Sequence, residues 1–434
     1  LSVLLSLNAQ GVTNVTVFDM IDFRLQKALE IGAANAVNVS GADIAVEFNN
    51  KFDIVFETAG SETSTTSATC IAASGASIVL VGHVVSETGA TEVSLTQISG
   101  GLEHPWALDF LPGTEAVVTE RAGLLKRIDL KTGNQAEIKG VPKVYHYGQG
   151  GLLDVMVHPE FERNQIIFLT YSAPDKSSGG GTTTLMKARL DGNCLLQKTI
   201  LFQADPALPG GHHFGSRIRM AGNGLLYFSV GERGRKDEAQ DPGNHLGTVI
   251  RLNEDGKIPN DNPFHAYESG RKEIFTFGHR NPQGMALHPQ TGVVWVHEHG
   301  PQGGDEINIL VAGANYGWPK TTYGEQYGGG KIGIGPTAPG IHPPVLHWTP
   351  SIAPSGMEFY AGKVFPEWNG DLLVGSLKFK MLVRVDIEGT KIKGQEVVFQ
   401  DQIGRIRDVR VNSEGNIYIL NDEFRGGVYR MDRR

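Results

Sequence analysis

From Trp106 onward one short unit recurs six times: an apolar strand, a turn of four to ten residues, and a second apolar strand. The copies read WALDF-LPGTE-AVVTE from Trp106, LLDVMV-HPEFERN-QIIFLTY from Leu152 and RIRM-AGNG-LLYFSV from Arg217. They continue as GMALH-PQTG-VVWVHE from Gly284, GMEFY-AGKVFPEWNG-DLLVGS from Gly356 and RDVRV-NSEGN-IYILND from Arg407. Further strand-like runs, such as LLKRID, GTVIRL, MLVRVDI and GVYRMD, lie between them. One small sheet cannot bury both of its faces, so repeated sheets stack on one another. Six units at irregular spacings of roughly 45–80 residues predict a mainly β chain closed into a six-bladed β-propeller. A two-sheet sandwich of similar composition is the alternative. With 56 glycines in 434 residues, tight turns and short strands are favoured over long helices.

The first 95 residues have another character. Leu1–Asn8 reads as a buried helix, followed by VTVFD, a helical IDFRLQKALEIGA, a short AVNV, then FDIVFETAG and ASIVLVG. Strands alternating with helical segments imply βαβ units and a parallel sheet. An acid that closes a strand, as Asp19 does, is where a dinucleotide fold holds a ribose. This segment resembles the nucleotide-binding half of medium-chain, zinc-type alcohol and sorbitol dehydrogenases, through VFDMIDFRLQKALEIGA and FDIVFETAG. That family's Gly-x-Gly-x-x-Gly turn would precede Leu1, so residues 1–95 are expected to be a truncated Rossmann-like α/β segment without a pyrophosphate cradle. An NAD-linked activity is therefore disfavoured. Residues 96–434 are expected to be the propeller.

Net charge and cysteines bound the partners. A charge of -8 argues against nucleic acid. Cys70 and Cys194 lie far apart and suggest neither a disulfide framework nor a zinc site. No apolar run is long enough to span a bilayer, so membrane insertion is not expected. The opening LSVLLSLNAQG lacks a basic n-region and does not read as a signal peptide.

In a propeller the first strand of each blade lines the central channel. Residues just before it, or just after the second strand, share one face. Unusual polar residues fall at these positions: Gln149, His213, Arg280, Asn281, Ser351, Arg405 and Arg407 before first strands, and His299, Gly300, Pro301 and Lys378 after second strands. Arg405 and Arg407 are two apart and so expected on one side of a strand. With Lys378 and Arg280 they place four cations around one cavity of an acidic chain, which calls for a multiply charged anion. The competing reading is ordinary salt bridging, to Asp408 or Asp371. Gly300-Pro301 offers two consecutive carbonyls suited to a hard cation such as Ca²⁺. Asp305, Glu306 and Tyr316 are candidates for a second, structural cation. His213 is the candidate base, since imidazole titrates near neutral pH. His104, His146, His297 and His299 are possible substrate contacts.

These residues, with the motifs HPWALDFLP, GQGGLLDV, HFGSR, GHRNPQGMA, EHGPQGGDEIN, NYGWP and GRIRDV, resemble the soluble pyrroloquinoline quinone (PQQ)-dependent glucose and aldose sugar dehydrogenases, over about Gln97–Arg434. The resemblance is closer to the bacterial aldose sugar dehydrogenase branch. It implies that Lys378, Arg405 and Arg407 bind the carboxylates of PQQ, with Gln149, Asn281 and Ser351 placing it. It implies Ca²⁺ on the Gly300 and Pro301 carbonyls, and a second Ca²⁺ at Glu306 and Tyr316. Arg280 and Ca²⁺ would polarise the quinone, and His213 would take the proton of the sugar's anomeric hydroxyl. The product would be a lactone, with an external electron acceptor completing the cycle. Where the glucose enzymes carry an Asp beside the catalytic His, this chain has His212, so what orients His213 is open. The family is usually periplasmic or secreted, and monomeric or homodimeric. The other readings are a propeller lactonase, a metal-assisted hydrolase, and a non-catalytic sugar-binding propeller.

Overall fold

The structure, a computed structural model, describes residues 92–266 and 270–434 without a break. Before residue 92 it describes 2–20, 22–39, 46, 48–57, 67–68 and 70–80; Thr58–Gly60 and Val81–Gly82 of the expected strands lie outside these. The chain divides into Leu1–Ala90 and Thr91–Arg434.

The first unit carries the expected alternation. Helix Ser2–Ala9 is followed by strand Thr16–Asp19, helix Asp22–Glu30 and strand Asn35–Asn38, with the two strands parallel. Phe52–Glu57 and Ala72–Leu80 form a second parallel pair. Leu4, Ala28 and Ala33 make its small core. Asp19 ends its strand as expected and lies 3.6 Å from Arg24. Cys70 is half-buried.

Six four-stranded antiparallel sheets follow, each beginning at one of the six sequence repeats. Their innermost strands are Pro105–Phe110, Leu152–Val157, Ile218–Met220, Pro282–Leu287, Pro354–Phe359 and Ile406–Val411, for blades 1 to 6. The sixth sheet is completed by Val93–Leu102, which pairs with Gly426–Arg433. The ring is thus closed by a strand from its own N-terminal end, which removes a free sheet edge. This strand also explains why the unit boundary falls a few residues before the expected 95/96. VSLTQISGGL alternates poorly and does not stand out as a strand.

The core lies between neighbouring blades. Trp295 of blade 4 packs edge-on against Phe359 of blade 5, ring centroids 5.5 Å apart. Phe168 of blade 2 shares a cluster with Phe228 and Ile250 of blade 3. Each such side chain contributes about 1.5–3 kcal/mol on burial. The channel itself is polar. Arg217 sits between Asp154 at 3.3 Å and Asp408 at 3.0 Å, and Arg410 reaches the same two acids at 3.1 Å each. Asp408 also accepts from Leu108 N, and Asp154 from Ile218 N, so paired charges lace the inner strands of blades 1, 2, 3 and 6 together.

Five of the six inner strands share one irregularity. Their register shifts between Pro105/Ala107, Leu152/Val155, Pro282/Gly284, Pro354/Met357 and Ile406/Asp408. An extra residue there re-aims a side chain. Trp106, Leu153, Gln283 and Arg407, all inside these shifts, line one cavity at that end of the channel.

Candidate active site

Two adjoining spaces open on this face. The inner cavity, about 190 Å³, is walled by Trp106, Gln149, Asn281 and His299, with Arg121, Arg405 and Arg407. The outer pocket, about 560 Å³, holds His213, Glu232, Arg280, Pro301 and Trp318, with Lys236 and Tyr327 farther out.

His213 stands in the turn before blade 3 with φ +52, and its backbone N donates to Gln149 Oε1 at 2.8 Å. Its Nδ1 is held by Glu232 Oε1. Burial pushes the imidazole pKa below its usual value, against the opposing effect of the hydrogen bond it donates to Glu232. A neutral ring with Nδ1 on a carboxylate leaves Nε2 as the free acceptor, which is what a general base requires. The orienting acid is therefore Glu232, nineteen residues along the chain, and not the neighbour His212. His212 instead accepts from Arg233 through its backbone carbonyl.

Arg280 is buried, and its Nη1 donates to the carbonyls of His299 at 3.1 Å and Gly300 at 2.8 Å. Its guanidinium lies 5.3 Å from the Trp318 ring centroid. His299 lines the inner cavity, with Nε2 on Pro354 O at 2.6 Å. Burial pulls its pKa down to about 3, so it is neutral and donates there.

The expected cation cluster is present with changes. Arg407 and Arg405 both line the inner cavity, but not by strand alternation. Arg405 precedes the strand, which begins at Ile406, and Arg407 is turned inward by the register shift. Arg407 Nη2 is paired to Asp422, 2.5 Å away. Burial raises the Asp422 carboxyl, but Arg407 and the hydrogen bond from His104 outweigh this and hold it well below the carboxylate range. Asp422, and neither Asp408 nor Asp371, is thus the internal counterion. Asp408 serves Arg217 and Arg410, and Asp371 serves Arg384. Arg121, unforeseen in the sequence, adds a cation to the wall. The Nε atoms of Arg121 and Arg407 are buried without a partner. Three guanidiniums against one carboxylate, two of them with orphaned donors, fit a multiply charged anion.

Asn281 lines the cavity and accepts from Gly215 N at 3.1 Å. Ser351 does not line it. Its hydroxyl donates to Asp305 at 3.0 Å and accepts from Ala353 N, which consumes it in shaping its own loop. Lys378 is exposed, next to the lining Leu377, with its ammonium 5.2 Å from the Phe379 ring centroid.

For a cation, the Gly300 carbonyl keeps one lone pair beside its bond to Arg280, and Pro301 borders the outer pocket. Asp305 is not available, since its two oxygens accept from Gly300 N, Ser351, Ile352 N and Ala353 N. The Tyr316 hydroxyl is likewise used, donating to Ile309 O and accepting from Val311 N. Glu306 instead neighbours Glu298, with Asn308 Nδ2 3.3 Å from each, beside a small cavity.

Glu232, Asp422 and Arg121 share one signal that was legible. Each lies just past the second strand of its repeat, the same position that singles out His299 and Lys378.

The glucose/sorbosone dehydrogenase family model matches residues 102–430, and the zinc-binding dehydrogenase model matches residues 1–101. The end of the latter match covers the strand that the structure gives to the propeller. The aldose sugar dehydrogenase of Escherichia coli (strain K12) is 39% identical over 346 residues, 79% of this chain and 93% of its own. The crystal structure of that soluble enzyme in its apo form superposes with TM-score 0.77, covering 79% of this chain and 100% of that one. The PQQ-bound aldose sugar dehydrogenase of Streptomyces coelicolor is 25% identical, with TM-score 0.64, covering 79% of this chain and 99% of that one. Fold and site together define a propeller oxidoreductase, a sugar dehydrogenase. The chain belongs to the glucose/sorbosone dehydrogenase family.

Proposed function

We propose that the chain oxidises the anomeric C1 hydroxyl of aldose sugars to the lactone, using PQQ in the inner cavity and Ca²⁺ on the Gly300 and Pro301 carbonyls. The observation that carries this reading is His213, which lines the outer pocket, is held on Glu232, and is tied through its backbone N to Gln149 of the guanidinium-lined cavity. When bound, PQQ supplies a two-electron acceptor for the C1 hydride, and Ca²⁺ polarises it. Arg121, Arg405 and Arg407 would hold its carboxylates, and Trp106, with Arg217 4.1 Å from its ring centroid, gives the cavity a flat wall. Arg280 fixes the Gly300 carbonyl and sets positive charge where negative charge develops. His213 Nε2 takes the hydroxyl proton, and Glu232 steadies the resulting imidazolium. Glu306, beside the small cavity, would be the carboxylate to hold a second, structural Ca²⁺, since both oxygens of Glu298 already accept, from His279, Asn308 and Arg280 N.

Reconstitution with PQQ and Ca²⁺, followed by dye reduction on a panel of aldoses, tests this directly. No sugar-dependent turnover with PQQ bound would overturn the reading. Arg405→Gln leaves a half-exposed site without its charge, so the fold is retained, and PQQ affinity is expected to fall about tenfold. Fluorescence titration checks that value.

Glu232→Gln is expected to move the acidic limb of kcat/KM to lower pH. The base form of His213 is neutral, so activity falls as pH drops through its pKa. That pKa is already lowered by burial and is supported by Glu232. Removing the carboxylate lowers it further and weakens the base, with kcat falling roughly tenfold or more. A pH–rate profile with an unmoved acidic limb would contradict the assignment.

A further inference from the structure

The loop that leads into His213 has little structure of its own. Residues 208–212 read LPGGH, a proline and two glycines outside the helices and strands. A base on such a loop needs an outside hold to keep its imidazole aimed. Arg233 supplies one. It is 6% exposed, and four of its five N–H donors go to main-chain carbonyls. Nε donates to His212 O at 2.8 Å, and Nη2 to Gly210 O at 2.8 Å and Leu208 O at 3.4 Å. Nη1 donates to Gly181 O at 2.6 Å, in strand Gly180–Asp191 of blade 2. Every second carbonyl of the loop thus converges on one guanidinium anchored to a neighbouring blade.

The peptide group between His212 and His213 is pinned at both ends. Its oxygen accepts from Arg233 Nε, and its N–H donates to Gln149 Oε1 at 2.8 Å. The plane from which His213 takes its φ of +52 is therefore fixed, and Glu232 then fixes the ring through Nδ1. Glu232 and Arg233 are consecutive. Strand alternation would send their side chains to opposite faces, and the left-handed φ of +57 at Arg233 lets both reach the one loop. Glu232 N also donates to Arg280 O at 2.9 Å, so the same dipeptide ties His213 to Arg280 on the wall of the outer pocket. Among the described residues no carboxylate pairs with Arg233, and its guanidinium lies 3.7 Å from the Phe214 ring centroid. Burial pulls its pKa down to about 10. An apolar side chain would close this space without burying a charge, so what Arg233 adds is the geometry of a planar fork of donors.

We propose that Arg233 is a positioning residue for the proton transfer: it sets the peptide between His212 and His213 and thereby aims His213 Nε2 into the outer pocket. The proposal rests on the reading of His213 as the base. Arg233 touches neither sugar nor cofactor and acts through the loop alone.

Arg233→Lys tests this, because it keeps the charge and replaces the fork with a single ammonium that cannot serve four carbonyls at once. In the PQQ- and Ca²⁺-loaded enzyme kcat is expected to fall about ten- to hundredfold, with the aldose KM changed less than about threefold. PQQ affinity is expected to stay within about threefold of wild type, since Arg121, Arg405 and Arg407 belong to blades 1 and 6. A second readout needs no turnover. In the cofactor-free chain the ring ¹⁵N shifts of His213, assigned by their absence from His213→Asn, report which nitrogen carries the proton. Wild type is expected to show the Nδ1–H tautomer alone, and Arg233→Lys a mixture of the two tautomers. Gly210→Ala displaces one acceptor without touching Arg233, since residue 210 has φ +92 and open space around a Cβ. It is expected to act in the same direction, with kcat falling about threefold, and it decides the matter if Arg233→Lys does not fold. Unchanged kcat and tautomer in the folded variants overturn the proposal. So does a fall in kcat with the tautomer unchanged, which would place the effect elsewhere. Mixed tautomers with kcat unchanged would leave Arg233 holding the ring and overturn instead the reading of His213 as the base.

Discussion

His213→Asn is expected to lower kcat by about 10²–10⁴-fold with PQQ affinity unchanged. Asparagine is the informative replacement because residue 213 has φ +52, a conformation asparagine tolerates and β-branched residues do not. The loop, and the bond from its backbone N to Gln149, are therefore retained. What is lost is an Nε2 acceptor whose availability depends on neutral imidazole and on the Glu232 carboxylate at Nδ1. Steady-state dye reduction measures the loss, and a parallel PQQ titration shows that the cavity is intact. A variant with nearly full kcat would remove His213 from the reaction and assign the proton transfer to another group.

The ring was legible because its repeat is periodic in strand and turn, and the inner strands begin within two residues of where WALDF, LLDVMV, RIRM, GMALH, GMEFY and RDVRV begin. The site was legible only in part, for three physical reasons. Register shifts overrule alternation, so Arg407 faces the cavity for a different reason than its spacing from Arg405 suggests. Contacts remote in sequence, such as Glu232 on His213 and Asp422 on Arg407, have no local pattern that pairs them. Composition also does not reveal which polar groups are already consumed. Ser351 and Asp305 hold each other, and Tyr316 closes its own loop, although each reads as a free ligand. The closing strand Val93–Leu102 was hidden for the reverse reason: its pairing partner lies more than three hundred residues away.

The channel charges link these two levels, because the groups that hold the ring together also support the cavity. Arg217 is 1% exposed, bridges Asp154 and Asp408, and donates through Nε to Gln283 O at 2.7 Å and through Nη2 to Arg407 O at 3.2 Å. Arg217→Met keeps most of the volume and removes the charge. The expected cost is about 3–5 kcal/mol, the usual result of leaving buried partners uncompensated. Burial already pushes the Asp154 and Asp408 carboxyls up, while Arg217 holds both down. Without Arg217 their folded pKa values rise further. A carboxyl with a raised folded pKa favours the folded state below its unfolded pKa and loses that contribution as pH rises through the folded one. The stability deficit of Arg217→Met is therefore expected to be smaller near pH 5 than near pH 8, as read by denaturant unfolding at the two values. A deficit that does not change with pH would mean that packing against Trp106 matters more than charge. Gln283 and Arg407 lose a backbone anchor in the same variant, so PQQ affinity is expected to fall even where the protein remains folded. Two independent readouts, unfolding and cofactor titration, would then move together from one substitution beneath the cavity.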